Sequence, residues 1–261
     1  MIVTTGIHPS EETRRHAQEL AAQFSLSVVE RREDSLNDLR KRYGTDAVLV
    51  VTAKGARLEM PDRPPFFFHP NTAAFRIKRL ERGDTDIILE VCQIQPGDHV
   101  LDATLGLGAD AIIFAHAVGP EGRVVGVESE KLIALLVADG LRHWHTESKV
   151  LREAMQRVEV CPGNHLEVLR ALPDDSFDVV YFDPMFEVTV EASRGIAGIR
   201  EYANEASLSD EAVREALRVA KRRVVLKERK AGRLYERFGF TPFRKRGQHV
   251  VYSYKETHGG E

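Results

Sequence analysis

With 261 residues, 43% of them hydrophobic and 30% charged, the chain is long enough to bury a full core and has the balance of an ordinary water-soluble globular protein. A formal net charge of -3 excludes a global electrostatic pull towards nucleic acid, so any RNA or DNA surface has to be local. Cys92 and Cys161 lie far apart without metal-ligand spacing, which argues against a disulfide framework or a zinc site; no metal is expected, and a reducing, cytoplasmic setting is. The N-terminus lacks the basic and apolar regions of a signal peptide, and no apolar run approaches the roughly eighteen residues of a membrane span.

In chain order, Ile2 to Thr5 reads as a strand and Ser10 to Phe24 as a helix capped by Ser10, with an acidic first turn. Leu26 to Glu30 reads as a strand and Ser35 to Tyr43 as a helix. Ala47 to Thr52 and Ala56 to Met60 form a predicted hairpin around Lys54-Gly55. The prolines of Pro61-Asp62-Arg63-Pro64-Pro65 break any regular element, so residues 1–65 are expected to form a small N-terminal α/β subdomain. Phe66 to Pro70 is an aromatic run. Asn71 to Arg82 is a basic helix whose Arg76, Lys78, Arg79 and Arg82 make either a solvated face or a wall that meets phosphates. Asp86 to Cys92 is a further helix, and Pro96-Gly97-Asp98 turns the chain.

The next stretch, Val100 to Ala111, reads as strand, glycine loop and helix. Val100-Leu101 is apolar, Gly106 and Gly108 allow a tight turn with close backbone approach, and Ala109 to Ala117 is rich in helix formers. Free N–H groups in such a loop and the positive end of the new helix suit an anionic or electron-rich ligand. Strands then recur at Arg123 to Glu128, Arg157 to Cys161, Phe177 to Asp183 and Arg223 to Lys227. They alternate with helices at Glu130 to Arg142, His165 to Leu172 and Ser209 to Lys221. A short helix, Leu234 to Gly239, precedes two strands, Thr241 to Arg246 and His249 to Lys255, which read as an antiparallel pair. The alternation predicts a parallel sheet with helices on both faces.

Glu128 follows the glycine loop by about twenty residues, where a carboxylate either accepts from both ribose hydroxyls of an adenosine-containing ligand or caps the next helix. Asn164 and His165 follow the third strand, where they either reach an adenine edge or cap a helix. Asp183-Pro184-Met185-Phe186 follows the fourth strand and therefore faces the crevice outside the strands' carboxyl ends, as the glycine loop does. This set fits an aryl amine, a poor nucleophile because its lone pair is delocalised into the ring. A carboxylate and carbonyls accepting its N–H groups favour the attacking geometry. Pro184 stiffens the backbone that aims them, and Phe186 offers a face for a flipped base.

Asp102-Ala103-Thr104-Leu105-Gly106-Leu107-Gly108 resembles methyltransferase motif I, and Asp183 to Phe186 resembles the Asp/Asn-Pro-Pro-Tyr/Phe motif of methyltransferases acting on exocyclic amines of bases. From about Phe66 onwards the chain resembles the RsmJ-like family of bacterial 16S rRNA guanine-N2 methyltransferases. The likeness rests on Asp102 to Asp110, Leu135 to Leu141 and Asp183 to Phe186. It implies a Rossmann-like class I methyltransferase sheet with an antiparallel C-terminal hairpin over residues 66–261. It implies S-adenosylmethionine as cofactor, contacted by Asp102, Thr104, Gly106, Gly108, Asp110, Glu128, Ser129, Asn164, His165 and Asp183, with catalysis at Asp183, Pro184 and Phe186. The implied partner is RNA, 16S rRNA or the small ribosomal subunit, and no membrane. Ala109 and Ser129 stand where the family often has Arg, and Glu187 where Pro is common.

RNA contacts are expected from the basic residues between Lys221 and Lys255, and a lid from Glu187 to Ala206. Two other readings stay open: an NAD(P)-dependent oxidoreductase, and a cofactor-binding RNA module without transfer activity.

Overall fold

The computed structural model describes residues 1–184, 208–229, 232–243 and 250–257. They form two compact units, one holding Met1–His69 with Asp139–His145 and the other Pro70–Ala138 with the remaining described residues from Thr146 on.

The first unit contains β1 (Ile2–Thr5), α1 (Glu11–Phe24), α2 (Leu36–Tyr43), β2 (Val48–Thr52), β3 (Gly55–Glu59) and β4 (Phe66–Phe67). Its sheet runs in the order β1-β2-β3-β4, parallel between the first pair and antiparallel thereafter. Ser10 accepts from the Thr13 N–H at the start of α1. This is the expected cap, and Ser35 and Asp38 add a reciprocal capping box on α2. Ile2, Val29, Leu39, Val48 and Val50 pack as the core. The strand predicted at Leu26 to Glu30 is not formed. Only a bridge between Val28 and Val3 exists, flanked by Val3 N–H to Ser27 O and Val29 N–H to Val3 O. The segment lies beside β1, but Arg32 turns the chain away at φ 48° before a ladder builds up.

The second unit carries α3 (Asn71–Glu81), α4 (Ile87–Cys92), β5 (His99–Asp102), α5 (Ala109–Val118), β6 (Arg123–Glu128), α7 (Lys149–Gln156), β7 (Val158–Pro162), α8 (His165–Ala171) and β8 (Phe177–Phe182). The chain continues with α9 (Asp210–Val219), β9 (Ala220–Arg229), α10 (Leu234–Arg237), β10 (Thr241–Phe243) and β11 (Val250–Glu256). Between β6 and α7 runs α6 (Lys131–His143), whose residues from Asp139 belong to the first unit. The sheet order is β7-β6-β5-β8-β9-β11-β10, parallel from β7 to β9, with β11 antiparallel to both neighbours. This is the Rossmann-like class I sheet with its antiparallel C-terminal hairpin.

Central strands of a parallel sheet are covered on both faces, so they read as apolar runs. Val179, Val180, Tyr181 and Phe182 of β8 accordingly have no exposed surface. The order reverses at β5, with β6 on one side and β8 on the other, and in open α/β sheets the ligand crevice lies at such a switch point, outside the carboxyl ends of the strands. α7 was not foreseen, although Ser148 caps it and Leu151, Ala154 and Met155 form a buried helical stripe. Among the described residues no helix is long and apolar enough to cross a membrane.

Leu105, within the glycine loop, is buried against Gly126 in the middle of β6. A Cβ on Gly126 would lie 2.3 Å from Leu105 Cδ1 and 2.9 Å from its Cγ. Because the whole isobutyl group would have to move, Gly126→Ala is expected to cost about 1–3 kcal/mol and to displace the loop. Chemical denaturation should read the stability loss, and ligand titration a weaker cofactor affinity.

Candidate active site

The crevice is built where β5 ends. Asp102, the last residue of β5, is buried, and one of its oxygens accepts from the Thr104 N–H at 3.1 Å. Thr104 Oγ1 in turn accepts from the Asp183 N–H at 2.6 Å, tying the loop after β5 to the chain leaving β8. Gly106 and Gly108 have φ of 51° and 72°, left-handed backbone that suits glycine. The Gly106 N–H donates to Glu128 Oε2 at 3.1 Å and the Gly108 N–H to Leu105 O at 2.8 Å. These two N–H groups are therefore used within the loop, against the expectation that they are free. Gly108 is the N-cap of α5 and, being glycine, supplies no capping side chain.

Asp110, in the first turn of α5, is the hub of a line of charges. Arg76 of α3 donates to its Oδ1, while Lys227 of β9 and the Tyr181 hydroxyl donate to its Oδ2 at 3.0 and 2.7 Å. Arg76 also grips Asp86 with two bonds of 2.7 and 2.9 Å, and Asp86 caps α4 by accepting from Ile88 N–H. Lys227 Nζ reaches Asp183 Oδ2 at 2.6 Å. The sequence Asp86, Arg76, Asp110, Lys227, Asp183 thus alternates in sign across the crevice floor.

Burial opposes the Asp110 charge, but Lys227 and Arg76 outweigh it and hold the carboxyl well below the usual carboxylate range. Burial likewise works against Lys227, yet Asp110 and Asp183 keep its ammonium charged far above the ordinary lysine range. Asp183 moves the other way. Burial and the nearby Asp110 raise its carboxyl, with Lys227 only partly compensating. Asp102, with no cation bonded to it, is pushed well up by burial and by Asp110. Tyr252 faces Lys227 across the β9–β11 ladder, and burial pushes its hydroxyl up to about 12.

Glu128 lies at the end of β6 with Oε1 accepting from the Glu130 N–H at 2.9 Å and Oε2 from Gly106. It caps the following turn and pins the loop, and Oε2 keeps a second lone pair for a ligand. The neighbouring Ser129 hydroxyl is 3.5 Å from Oε1. Asn164 spends its oxygen capping α8, on Leu166 N–H at 2.9 Å. His165 stands edge-on to Phe182, and burial lowers its pKa so that the ring is neutral at pH 7. Asp102, Thr104 and Asp183 are therefore linked in sequence by hydrogen bonds, Asp110 is linked to Asp183 through Lys227, and Glu128 holds the same loop through Gly106. Pro184 is buried. Met185, Phe186, Glu187 and the expected lid up to Ala206 lie outside the described residues.

Asp86, Tyr181 and Tyr252 were not foreseen as parts of the site, and Arg76 and Lys227 were expected there only as cations for RNA phosphates. Arg76, placed by the sequence on a solvated or phosphate-facing helix, is held between two carboxylates instead. Much of the basic C-terminal stretch is committed in the same way. Lys221 pairs with Asp178, Arg222 with Asp98, Arg223 with Glu256 and Arg237 with Asp210. Lys230, Arg244, Lys245 and Arg246 lie outside the described residues.

A family profile described as "Putative SAM-dependent methyltransferase" matches residues 36–238. The Bacillus subtilis protein YpiP is 41% identical over 245 residues, covering 94% of this chain and 95% of its own length. Ribosomal RNA small subunit methyltransferase J of Dechloromonas aromatica is 33% identical over 191 residues, 70% of this chain and 76% of its own. The crystal structure of the SAM-dependent methyltransferase NGO1261 from Neisseria gonorrhoeae superposes with a TM-score of 0.67 at 20% identity, covering 100% of this chain and 98% of its own, a likeness of fold.

Since Asp110 is the shared partner of two buried cations, Asp110→Asn should leave both short of charge and cost about 3–5 kcal/mol. Tyr181→Phe removes only one charge-assisted bond, for which about 1.5–3 kcal/mol is expected. Urea unfolding of the two variants should rank them in that order.

Proposed function

Since the chain belongs to the RsmJ-like family of S-adenosylmethionine-dependent methyltransferases, we propose that it methylates an exocyclic base amine of RNA, guanine N2 of 16S rRNA in the small ribosomal subunit. Residues 66–261 are assigned this reaction and residues 1–65 an accessory part. The observation that carries the reading is the charge of the crevice. Among the described residues, the carboxyls of Asp86, Asp110 and Asp183 share the two cations Arg76 and Lys227, and Asp102 beside them is raised by burial first and then by Asp110. Such a site suits a ligand of net positive charge, and the pyrophosphate of NAD(P) would add to the surplus.

S-adenosylmethionine supplies, when bound, a methyl group made electrophilic by its positive sulfonium. Asp102, Thr104, Gly106, Gly108 and Asp110 would hold its methionine end, Glu128 and Ser129 its ribose, and Asn164 and His165 its adenine edge. The half-buried Asp183 accepts an N–H of the base amine, aided by the fixed backbone of Pro184, with Phe186 as the stacking face for the extruded base. Lys227 keeps the Asp183 carboxylate in one orientation. As the amine nitrogen becomes cationic, Asp183 stabilises the charge, and its raised carboxyl accepts the departing proton more readily than an ordinary aspartate.

The test is labelled methyl transfer to unmodified small ribosomal subunits, followed by mass spectrometry of the nucleosides. N2-methylguanosine is expected, and a methyl group on another atom or no transfer overturns the reading. Asp183→Asn should lower kcat by about 10²–10³-fold while leaving cofactor affinity near that of the parent protein. Lys227→Met removes the cation that opposes the rise of the Asp183 carboxyl. The acid limb of its pH–rate profile should therefore move to higher pH.

A further inference from the structure

Away from the crevice, the first unit gathers a second set of chemistry-bearing groups. His16 of α1 and the pair Asp139 and His143, one turn apart in α6, come together although His16 and Asp139 are separated by 123 residues. His16 Nε2 lies 2.6 Å and His143 Nδ1 2.9 Å from the same oxygen, Asp139 Oδ1. The three donor atoms all fall within 4.8 Å of one another, and the two rings are 4.5 Å apart. Asp139 is only 8% exposed, whereas His143 faces outward.

The donors are held by packed structure. Next to Asp139 stands Gly140, where a Cβ would come within 2.2 Å of Phe68 Cγ, and Phe68 packs against the edge of Trp144. A cleft of about 230 Å³ opens on His16 and His143 and is also lined by Ser10, Glu12, Thr13 and Glu19. It gives the donor set access to water, and its charged lining is completed by Arg15, which lies 3.8 Å from Glu19.

We propose that His16, Asp139 and His143 bind a divalent transition-metal ion of the zinc class, with water from the cleft completing its coordination. Two imidazoles and one carboxylate suit Zn²⁺, Co²⁺ or Ni²⁺ and not Mg²⁺ or Ca²⁺, which prefer oxygen ligands alone. Ligand bonds of about 2.0–2.2 Å place neighbouring donors roughly 3.0–3.5 Å apart, so the contacts of 2.6 and 2.9 Å to Asp139 open slightly and the two imidazole nitrogens, already within 4.8 Å of each other, close on the ion. The ion takes the place of the protons now shared with Asp139. A neutral imidazole then carries its proton on its other ring nitrogen, and an imidazolium releases one to solvent. The site is independent of methyl transfer.

The full chain, without a polyhistidine tag and stripped with a chelator, should be titrated with ZnCl₂ against a chromophoric competitor and with CoCl₂ by visible absorption. One equivalent is expected at about micromolar Kd or tighter, with Co²⁺ ligand-field bands and a raised Tm. His16→Gln and His143→Gln should each weaken binding by more than about a hundredfold, beyond the loss typical of an outer-shell partner, while His8→Gln leaves it unchanged. Millimolar or non-stoichiometric binding, parent-like affinity in both folded variants, or a featureless Co²⁺ spectrum of the parent protein overturns the proposal.

Discussion

The crevice depends on one buried carboxylate, Asp110, held ionised by Arg76, Lys227 and the Tyr181 hydroxyl. A lone carboxylate at this depth would be neutral, and lone cations there would be too costly to bury. Each group therefore fixes the others, and because they come from α3, α5, β8 and β9 the array also fixes how those elements meet. Lys227 then extends the array to Asp183, the residue that the proposed function sets against a substrate amine. The same contacts thus tie the elements at the sheet's switch point and hold the Asp183 side chain in place.

The glycine loop follows a related economy. Glu128 and the loop hold one another through Gly106 N–H, Thr104 ties the loop to Asp183, and Leu105 anchors it from below against Gly126. These bonds leave the loop little freedom before any ligand arrives, which lowers the ordering cost of binding. Asp102 is the exception. It carries no cation, and burial beside Asp110 pushes its carboxyl upward, leaving a place where an incoming positive charge is favourable.

Features set by local sequence were legible before the structure. The alternation from Val100 to Lys255, the glycine turn, the hydroxyl cap at Ser10 and the terminal hairpin each have a signature within a few residues. So did Asp102, Glu128 and Asp183, because their places at strand ends follow from the topology. Other features depend on partners distant in the chain. Arg76 and Lys227 were read as cations for solvent or RNA phosphates since nothing nearby names Asp86, Asp110 or Asp183 as their partners. Lys227, though, directly follows the buried run Val224-Val225-Leu226, a sign of a lysine with an internal role. Asn164 shows the opposite limit, its cap on α8 being as local as the adenine contact was remote. Leu26 to Glu30 had strand composition but too little length before the Arg32 turn. Asp139 and His143 had the i,i+4 spacing of a shared helical face, and only the fold brings His16 to them.

Calorimetric titration with S-adenosylmethionine, in buffers of differing ionisation enthalpy, tests most directly whether the crevice is an anion-rich receptor for a cation. A positive ligand lowers the raised Asp102 carboxyl, so binding should release protons, and more of them than the uncharged thioether S-adenosylhomocysteine does. NAD⁺ and NADP⁺ should not compete. Tighter binding of either dinucleotide, or S-adenosylmethionine binding without proton release, would contradict the account.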